Sequence, residues 1–308
     1  MIVTILFLIA PSASTGAQPA ARSLQLPLWQ VPIAVLWQPD GKQIAVSASE
    51  SIFILASDTL SITARLPSGV FSAALVNLPD GKFASGGNDG VLRTWDWQTG
   101  ALLHTQPAHT KSISALAVQT GSGVLASGGR DAFIHVWQPQ NRRDLLGSSW
   151  VLTALAFSHD GSLFYSVEGA LIRVRNTEDW RLVRVLTAEG GIAAFAAAPN
   201  GQIAAATAQG IALWEQDGSP QSGKLLPPSG AVGGANSPMA CLAFSPDSVS
   251  LAGGSPTGRV YLWDSSNPTG VALPQSHASA VSALAFSPDG RWLLSVSYDG
   301  LLILHPLP

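Results

Sequence analysis

The stretch HTKSISALAVQTGSGVLASGGRDAFIHVW, residues 109–137, decides the fold of this chain of 308 residues. Its segment Ile113–Val118 first alternates polar and apolar residues and then becomes apolar, which is typical of a half-buried strand. Two further strand patterns follow after glycine-rich turns, and the last of them ends at Trp137. Such a three-stranded unit cannot bury both of its faces alone, so it must stack on copies of itself.

Seven copies of this unit can be read from about residue 33 onwards. The last position of each third strand marks them, and it is occupied by Leu55, Trp95, Trp137, Arg175, Trp214, Trp263 and His305. Turns such as Pro39-Asp40-Gly41 and Pro288-Asp289-Gly290 separate the first two strands at the same interval. Proline presets φ at the first central position of a β-turn, and Asp and Gly suit the positions after it. A repeat of about 40 residues with four strands predicts a propeller blade.

A fourth short strand is predicted between successive repeats. The candidates are Leu60–Leu66, Leu102–Gln106, Asp144–Gly147, Arg181–Leu186, Lys224–Leu226 and Val271–Leu273. The last repeat has no room for one, whereas Leu24–Trp29 has no other partner. We therefore expect Leu24–Trp29 to pair beside Leu301–His305 and close the ring, with Pro27 tolerated on an edge strand. The predicted fold is all-β: a seven-bladed β-propeller of four-stranded blades over residues 23–308.

Residues 1–22 leave two interpretations open. The apolar run Ile2–Ala10 and the small residues after it resemble a secretory signal peptide of about 17 residues, but Lys and Arg are absent before Arg22. A cleaved signal would make the protein extracytoplasmic, whereas an uncleaved disordered tail would fit a cytoplasmic one. The run is too short to span a bilayer, so no integral membrane span is expected.

Composition narrows the classes of function. Hydrophobic residues make up 46% and charged residues 11%, which indicates a packed protein and not a disordered one. The net charge of −3 offers no basic excess for nucleic-acid phosphates, so no nucleic-acid partner is expected. The single cysteine, Cys241, falls at the small-residue position that Ala115, Ala154 and Ala283 occupy in other repeats, which favours a structural role. No histidine pair has the spacing of a metal site, and neither metal nor cofactor is expected.

These residues resemble the WD-repeat (Trp-Asp repeat) β-propeller family. The turn Phe286-Ser287-Pro288-Asp289-Gly290 is similar to the family's turn signature, and Trp95-Asp96 and Trp263-Asp264 are similar to its terminal dipeptide. The resemblance implies structural tetrads of His, Ser or Thr, Asp and Trp within single blades. The third repeat matches all four positions, and the seventh has His305 in place of Trp; the residues are His109, Ser127, Asp131, Trp137, His277, Ser295, Asp299 and His305.

A histidine, serine and aspartate in one repeat also occur in hydrolases. A catalytic triad is recognised by its geometry and not by its composition, and the chain has no Gly-x-Ser-x-Gly elbow. The structural interpretation of the tetrad is therefore the stronger one, and no catalytic residue is predicted.

The resemblance implies a non-catalytic scaffold for protein–protein interaction, a monomeric propeller with a protein or peptide partner. Two alternatives stay open: a ligand-binding, hydrolytic or lyase propeller that uses the central channel, and a sensor or regulatory subunit of a larger assembly. The predicted partner-binding face consists of residues beside the tetrad turns, Asn88, Lys111, Arg130, Trp150 and Tyr298. They would form a mixed aromatic and basic patch, which is typical of interface hot spots, although ordinary solvated loop residues are the alternative.

Overall fold

The computed structural model describes residues 20–27, 29–138, 142–146, 151–220, 238–264 and 267–307. These residues form strands and turns, and no helix occurs among them. Within the described ranges, accordingly, no helix has the length and apolar character needed to cross a membrane. The predicted all-β class is confirmed.

In chain order the strands are β1 Arg22–Gln25, β2 Pro32–Trp37, β3 Gln43–Ala48, β4 Ser51–Ala56, β5 Ser61–Pro67, β6 Ser72–Leu78, β7 Lys82–Gly87, β8 Val91–Asp96, β9 Leu102–Pro107, β10 Ile113–Val118, β11 Leu125–Gly129, β12 Phe133–Trp137, β13 Arg142–Leu146, β14 Leu152–Phe157, β15 Leu163–Glu168, β16 Leu171–Asn176, β17 Leu182–Thr187, β18 Ala194–Ala197, β19 Ile203–Thr207, β20 Gly210–Trp214, β21 Cys241–Phe244, β22 Ser250–Gly254, β23 Val260–Asp264, β24 Asn267–Ala272, β25 Val281–Phe286, β26 Trp292–Ser297 and β27 Leu301–Pro306.

The strands form seven antiparallel sheets, one for each predicted blade. Blades 1 to 4 and 6 each contain four consecutive strands starting at β2, β6, β10, β14 and β21, and blade 7 contains β25 to β27 with β1. Blade 5 has β18 to β20 in the described part of the chain, and its candidate fourth strand Lys224–Leu226 lies outside that part. The first strands of successive blades contact one another, and β25 contacts β2. The predicted seven-bladed propeller is thus confirmed.

The strand register confirms the repeat positions. Each marker residue at the end of a third strand pairs with the equivalent position of its second strand, for example Trp95 with Phe83 and His305 with Leu293. The other fourth strands lie within four residues of their predicted bounds. The long loop Pro227–Pro238 lies outside the described residues except for Pro238.

The ring closes as predicted, but the closing strand was predicted too late in the chain. β1 spans Arg22–Gln25, not Leu24–Trp29, and pairs with β27 from Arg22 opposite Leu304 to Gln25 opposite Leu301. After the bond from Leu26 N to Gly300 O (3.0 Å), the chain turns away because Pro27 has no N–H to donate.

Both polar and apolar contacts stabilise the pairing of β1 with the last blade. The guanidinium of Arg22 donates to the backbone oxygen of Asp58 in blade 1 and lies 4.9 Å from the ring centroid of Trp292 in blade 7. Leu26 is 2% exposed in a core cluster that includes Trp37 of blade 1 and Leu302 of blade 7. The N-terminal strand therefore joins the last blade to the first.

Cys241 lies in β21, one of the innermost strands. Its pairing with Gly254 is equivalent to the pairings of Ala115, Ala154 and Ala283, so its predicted small-residue position is confirmed. Burial raises the pKa of the thiol to about 12. The thiol therefore stays protonated at neutral pH, as expected of an inert structural cysteine.

Candidate partner-binding face and its polar networks

The second strand of every blade turns into the third on one face of the ring. The fourth strand of a blade also leads to the first strand of the next blade on this face, which we call the upper face. Four tetrad residues, His109, Asp131, His277 and Asp299, lie in the connections between strands on this face. The upper face therefore contains both the buried networks and the candidate partner-binding residues.

Blade 3 brings its four tetrad residues into one continuous network. Trp137 Nε1 lies 3.0 Å from Ser127 Oγ, which lies 2.9 Å from His109 Nε2, and His109 Nδ1 lies 3.0 Å from Asp131 Oδ1. One arrangement of protons satisfies every group: Trp137 donates to Ser127, Ser127 donates to His109, and His109 donates from Nδ1 to Asp131. In this arrangement the imidazole of His109 is neutral.

Burial and hydrogen bonding set the charges of this network. Burial lowers the pKa of His109 below its ordinary value, although Asp131 opposes the shift. Burial also tends to raise the pKa of Asp131, but hydrogen bonds from the Thr110 backbone and from His109 outweigh it and lower that pKa. At neutral pH the pair is therefore a neutral imidazole donating to an ionised carboxylate.

Replacing Asp131 with alanine is expected to lower the free energy of unfolding by about 1–3 kcal/mol, the usual cost of leaving buried partners unpaired. The carboxylate accepts from His109, from Thr110 N at 2.9 Å and from Phe133 N at 3.3 Å. Urea unfolding would measure the change, with Glu189→Ala as the control because Glu189 is an exposed acid. If Asp131→Ala lowered the free energy of unfolding no more than Glu189→Ala does, this result would contradict a structural role for the network.

Blade 7 has a related network around one hydroxyl. Ser295 Oγ lies 2.7 Å from His277 Nε2 and 2.8 Å from His305 Nε2, so His305 takes the position of the tryptophan. The His277 Nδ1 to Asp299 Oδ1 distance is 3.7 Å, longer than in blade 3. His305 is 1% exposed, and its Nδ1 has no hydrogen-bond partner in the described ranges. Burial, with a contribution from His277, lowers the pKa of His305 to about 4.

Two further polar networks lie in blades 4 and 2. In blade 4 Arg175 stands in the tryptophan position, is 9% exposed and donates to Ser166 Oγ at 3.1 Å. Arg173 Nε in the same blade lies 3.2 Å from the buried carboxylate of Glu168. In blade 2 Trp95 donates to Ser85 at 2.9 Å as in blade 3, but Asp89 pairs with Arg93 at 2.7 Å. An arginine thus stands beside the polar network in each of these blades.

A cavity of about 360 Å³ opens beside the network of blade 3. Its lining includes His109, Asp131, Phe133 and the hydrogen-bonded pair of His135 and Asp144, whose Nδ1 and Oδ1 atoms are 2.7 Å apart. Ser127 does not line it and has no exposed surface. The hydroxyl that a hydrolase triad would use as a nucleophile therefore has no access to this cavity.

The candidate residues before the turn aspartates occupy equivalent places. The backbone N–H groups of Asn88, Arg130 and Tyr298 donate, at 2.8, 2.9 and 3.1 Å, to the carbonyl of the residue that precedes the first strand of their blade. All three side chains are exposed on the upper face. Lys111 is also exposed, in the turn that leads to β10, whereas Trp150 lies outside the described residues.

One aromatic residue on this face was predicted wrongly. The sequence analysis placed Trp29 in the closing strand, but it lies in a turn after β1 and is 90% exposed. The proline two residues before it was the signal that the strand had ended. No group of three or more His, Cys, Asp or Glu side chains suited to a metal ion occurs among the residues described.

Comparisons with known proteins identify repeats in parts of this chain. The family model for the WD domain, G-beta repeat, matches residues 229–264 and 270–305. The family model named WDR54 matches residues 41–147.

The chain also matches solved structures over nearly its whole length. The structure of U3-55K aligns with 95% of this chain at a TM-score of 0.79 and 19% identity, and the alignment covers 99% of that chain. The structure of the RRP9 WD40 repeats aligns with 96% of this chain at a TM-score of 0.78 and 18% identity, and the alignment covers 99% of that structure's chain. At these identities the likeness shows the fold alone.

Two curated proteins match parts of the sequence. The periodic tryptophan protein 2 homolog of Schizosaccharomyces pombe is 34% identical over 137 residues, which are 43% of this chain. Subunit 5 of the transcription initiation factor TFIID of Caenorhabditis elegans is 30% identical over 96 residues, 31% of this chain. The chain spans only 14% of the length of each relative. The seven-bladed ring, its turn signatures and the matched repeats confirm the resemblance of this chain to the WD-repeat β-propeller family.

Proposed function

We propose that the protein is a non-catalytic scaffold whose upper face binds a protein or peptide partner. The exposure of Arg130 and Tyr298 at equivalent positions of rigid turns is the observation that carries this proposal. Arginine and tyrosine are enriched in interface hot spots, and fixed turns limit the entropy that such side chains lose on binding. Asn88 and Lys111 extend the same surface, and Trp150 is proposed as a further member.

The buried networks are proposed to support this surface and not to catalyse a reaction. Each tetrad joins a turn of the upper face to the strands beneath it through paired, buried polar groups. Such groups are tolerated in a core only when their hydrogen bonds are made, so the networks fix the turns in one conformation. A turn fixed in this way presents its exposed side chains at a constant position.

The innermost strands also argue against chemistry in the central channel. The strands β2, β6, β10, β14, β18, β21 and β25 carry a single titratable side chain, Cys241, whose pKa of about 12 keeps it protonated. General acid–base and nucleophilic catalysis need groups that change charge near the working pH. The channel strands supply no such group.

The partner is proposed to be a protein and not a nucleic acid. The net charge of −3 provides no overall attraction to phosphates. The Caenorhabditis elegans relative is named as a subunit of a transcription initiation factor, which is a role within an assembly. We therefore propose that the protein acts as a scaffold within an assembly, as one subunit among others.

The proposal predicts that Arg130→Glu and Tyr298→Ala each weaken partner capture while leaving Tm unchanged. Tagged variants would be cross-linked in their native cells, and captured proteins would be quantified by mass spectrometry. Val249→Ala is the matched control, because Val249 is 56% exposed in a turn on the opposite face. A partner set that both upper-face variants retain in full would contradict binding at this surface.

A further inference from the structure

Three aromatic side chains are exposed on the upper face of three successive blades. Tyr298 of blade 7 is 53% exposed, Trp29 at the junction of blades 7 and 1 is 90% exposed, and Phe71 at the start of blade 2 is 41% exposed. Single exposed apolar residues are common on protein surfaces, so their arrangement decides whether they form a site.

Two hydrogen bonds place the turn of Trp29 beside the turn of Tyr298. Leu26 N donates to Gly300 O at 3.0 Å, and Gln25 Nε2 donates to Asp299 O at 3.1 Å. These bonds join the segment that leads to Trp29 with the residues that directly follow Tyr298. The two aromatic residues therefore belong to adjacent turns.

The same turn is joined to blade 1 through Ser49. Its hydroxyl donates to Trp29 O at 2.9 Å and accepts from Val31 N at 3.1 Å. The next residue, Glu50, accepts at its backbone oxygen from Ser68 N and Gly69 N, both at 3.1 Å, in the loop that leads to Phe71. The order along the face is therefore Tyr298, Trp29, Glu50 and Phe71, and we call these four residues the aromatic arc.

The backbone of Trp29 is strained. Its φ of 72° lies in the left-handed region, which carries a steric cost for a residue with a side chain. An indole that is 90% exposed gains little from packing within the chain to offset this cost. Here the two bonds of Ser49 and the bond from Gln30 N to Pro27 O hold the turn.

Glu50 supplies the charge of the arc. It is exposed, and no ion pair joins it to a cation of the described part of the chain. Arg65 in the same blade is directed elsewhere, since its Nε donates to Ser51 Oγ at 2.9 Å and its guanidinium lies 5.8 Å from the ring of Phe53. Asp299 is already occupied by the backbone N–H groups of Ala278 and Leu301. In the order of these turns, Glu50 thus lies between Trp29 and Phe71.

We infer that the aromatic arc binds an extended segment of the partner protein that has a central arginine or lysine flanked by apolar residues. The basic side chain pairs with Glu50 and lies over the indole of Trp29, where the negative face of the ring attracts a cation. The flanking apolar residues contact Tyr298 and Phe71. This inference rests on the proposed function in taking the partner to be a protein and in including Tyr298 in the binding surface.

Random peptides of about nine residues, which span roughly 30 Å when extended, are a suitable probe. Selection of a displayed library on the full chain is expected to enrich a central Arg or Lys between apolar residues. Selection on Glu50→Lys is expected to enrich Asp or Glu there instead. Glu189→Lys is the matched control, because Glu189 is exposed on the same face in blade 5, and it should select the wild-type motif.

Trp29→Gly separates binding from folding. Glycine adopts a φ of 72° without strain, so Tm is expected to stay constant or rise, while affinity for a selected peptide falls about tenfold or more. Fluorescence anisotropy with labelled peptide would measure the affinity. Three results would each overturn the inference. They are an unchanged peptide affinity of Trp29→Gly, selection of the same motif by the wild type and by Glu50→Lys, and selection of no motif at all. Partner capture by Arg130→Glu, a residue outside the aromatic arc, decides the proposed function independently of the Glu50 and Trp29 variants.

Discussion

A variant that lacks residues 1–26 is expected to have a Tm roughly 5–15 °C below that of the full chain and to aggregate. The deletion removes β1, the contacts of Arg22 with blade 1, and Leu26, which is 2% exposed. Loss of one buried leucine typically costs about 2–5 kcal/mol, and each kcal/mol shifts Tm by about 2–4 °C in a large domain. The edge of β27 would then be free to pair with another chain.

A variant that begins at Ala20 is the control, because it keeps all of β1. We expect its Tm to equal that of the full chain. Thermal unfolding followed by circular dichroism would compare the two truncations. If both had the same Tm as the full chain, β1 would contribute nothing to the closure of the ring.

Acidification is expected to destabilise the protein through His305. Because burial lowers the pKa of folded His305 to about 4, the unfolded chain binds this proton more tightly than the folded chain does. The stability that the neutral imidazole contributes is complete above pH 6.5 and is lost as pH falls towards 4. A shift of this size corresponds to about 3 kcal/mol.

Urea unfolding between pH 4 and pH 7 would measure this dependence. His305→Gln keeps a donor for Ser295 and removes the titration, so its stability should fall less on acidification than that of the wild type. His104→Gln is the control, because His104 is exposed, and it should keep the wild-type profile. A His305→Gln profile identical to the wild type would show that the destabilising protonation occurs elsewhere, for example at His109 or His277.

The fold could be predicted because its signals repeat within short stretches of the chain. The turn Pro288-Asp289-Gly290 and the marker Trp137 belong to single repeats, and a fixed spacing in sequence becomes a fixed place in a blade. The contacts of His109 with Ser127 and Asp131 lie within one repeat for the same reason. Spacing alone was sufficient to group these residues.

Features that depend on contacts between strands or blades could not be predicted in this way. Two contacts in blade 4 depend on which residues of β15 and β16 lie opposite each other, and the family resemblance does not predict them. They are the pairing of Arg173 with Glu168 and the contact of Arg175 with Ser166. Asp160 lies in the exposed turn between β14 and β15, and it accepts hydrogen bonds from Ser158, Ser162 and, in blade 5, Gln216, which lower its pKa to about 2. Trp29 was assigned to a strand because the apolar pattern continues past the point where hydrogen bonding ends.

The most direct test of the closed ring is a disulfide between Gln25→Cys and Leu301→Cys. The bond from Leu26 N to Gly300 O marks a hydrogen-bonded pair, so Gln25 and Leu301 form the adjacent non-hydrogen-bonded pair, whose Cα atoms lie about 4.5 Å apart in such sheets. That separation suits a disulfide, and the natural chain has only Cys241 as a competing thiol. We predict that oxidation forms this bond within single chains and raises Tm. Failure of the two cysteines to cross-link in the folded protein would contradict the closure of the propeller by its N-terminal strand.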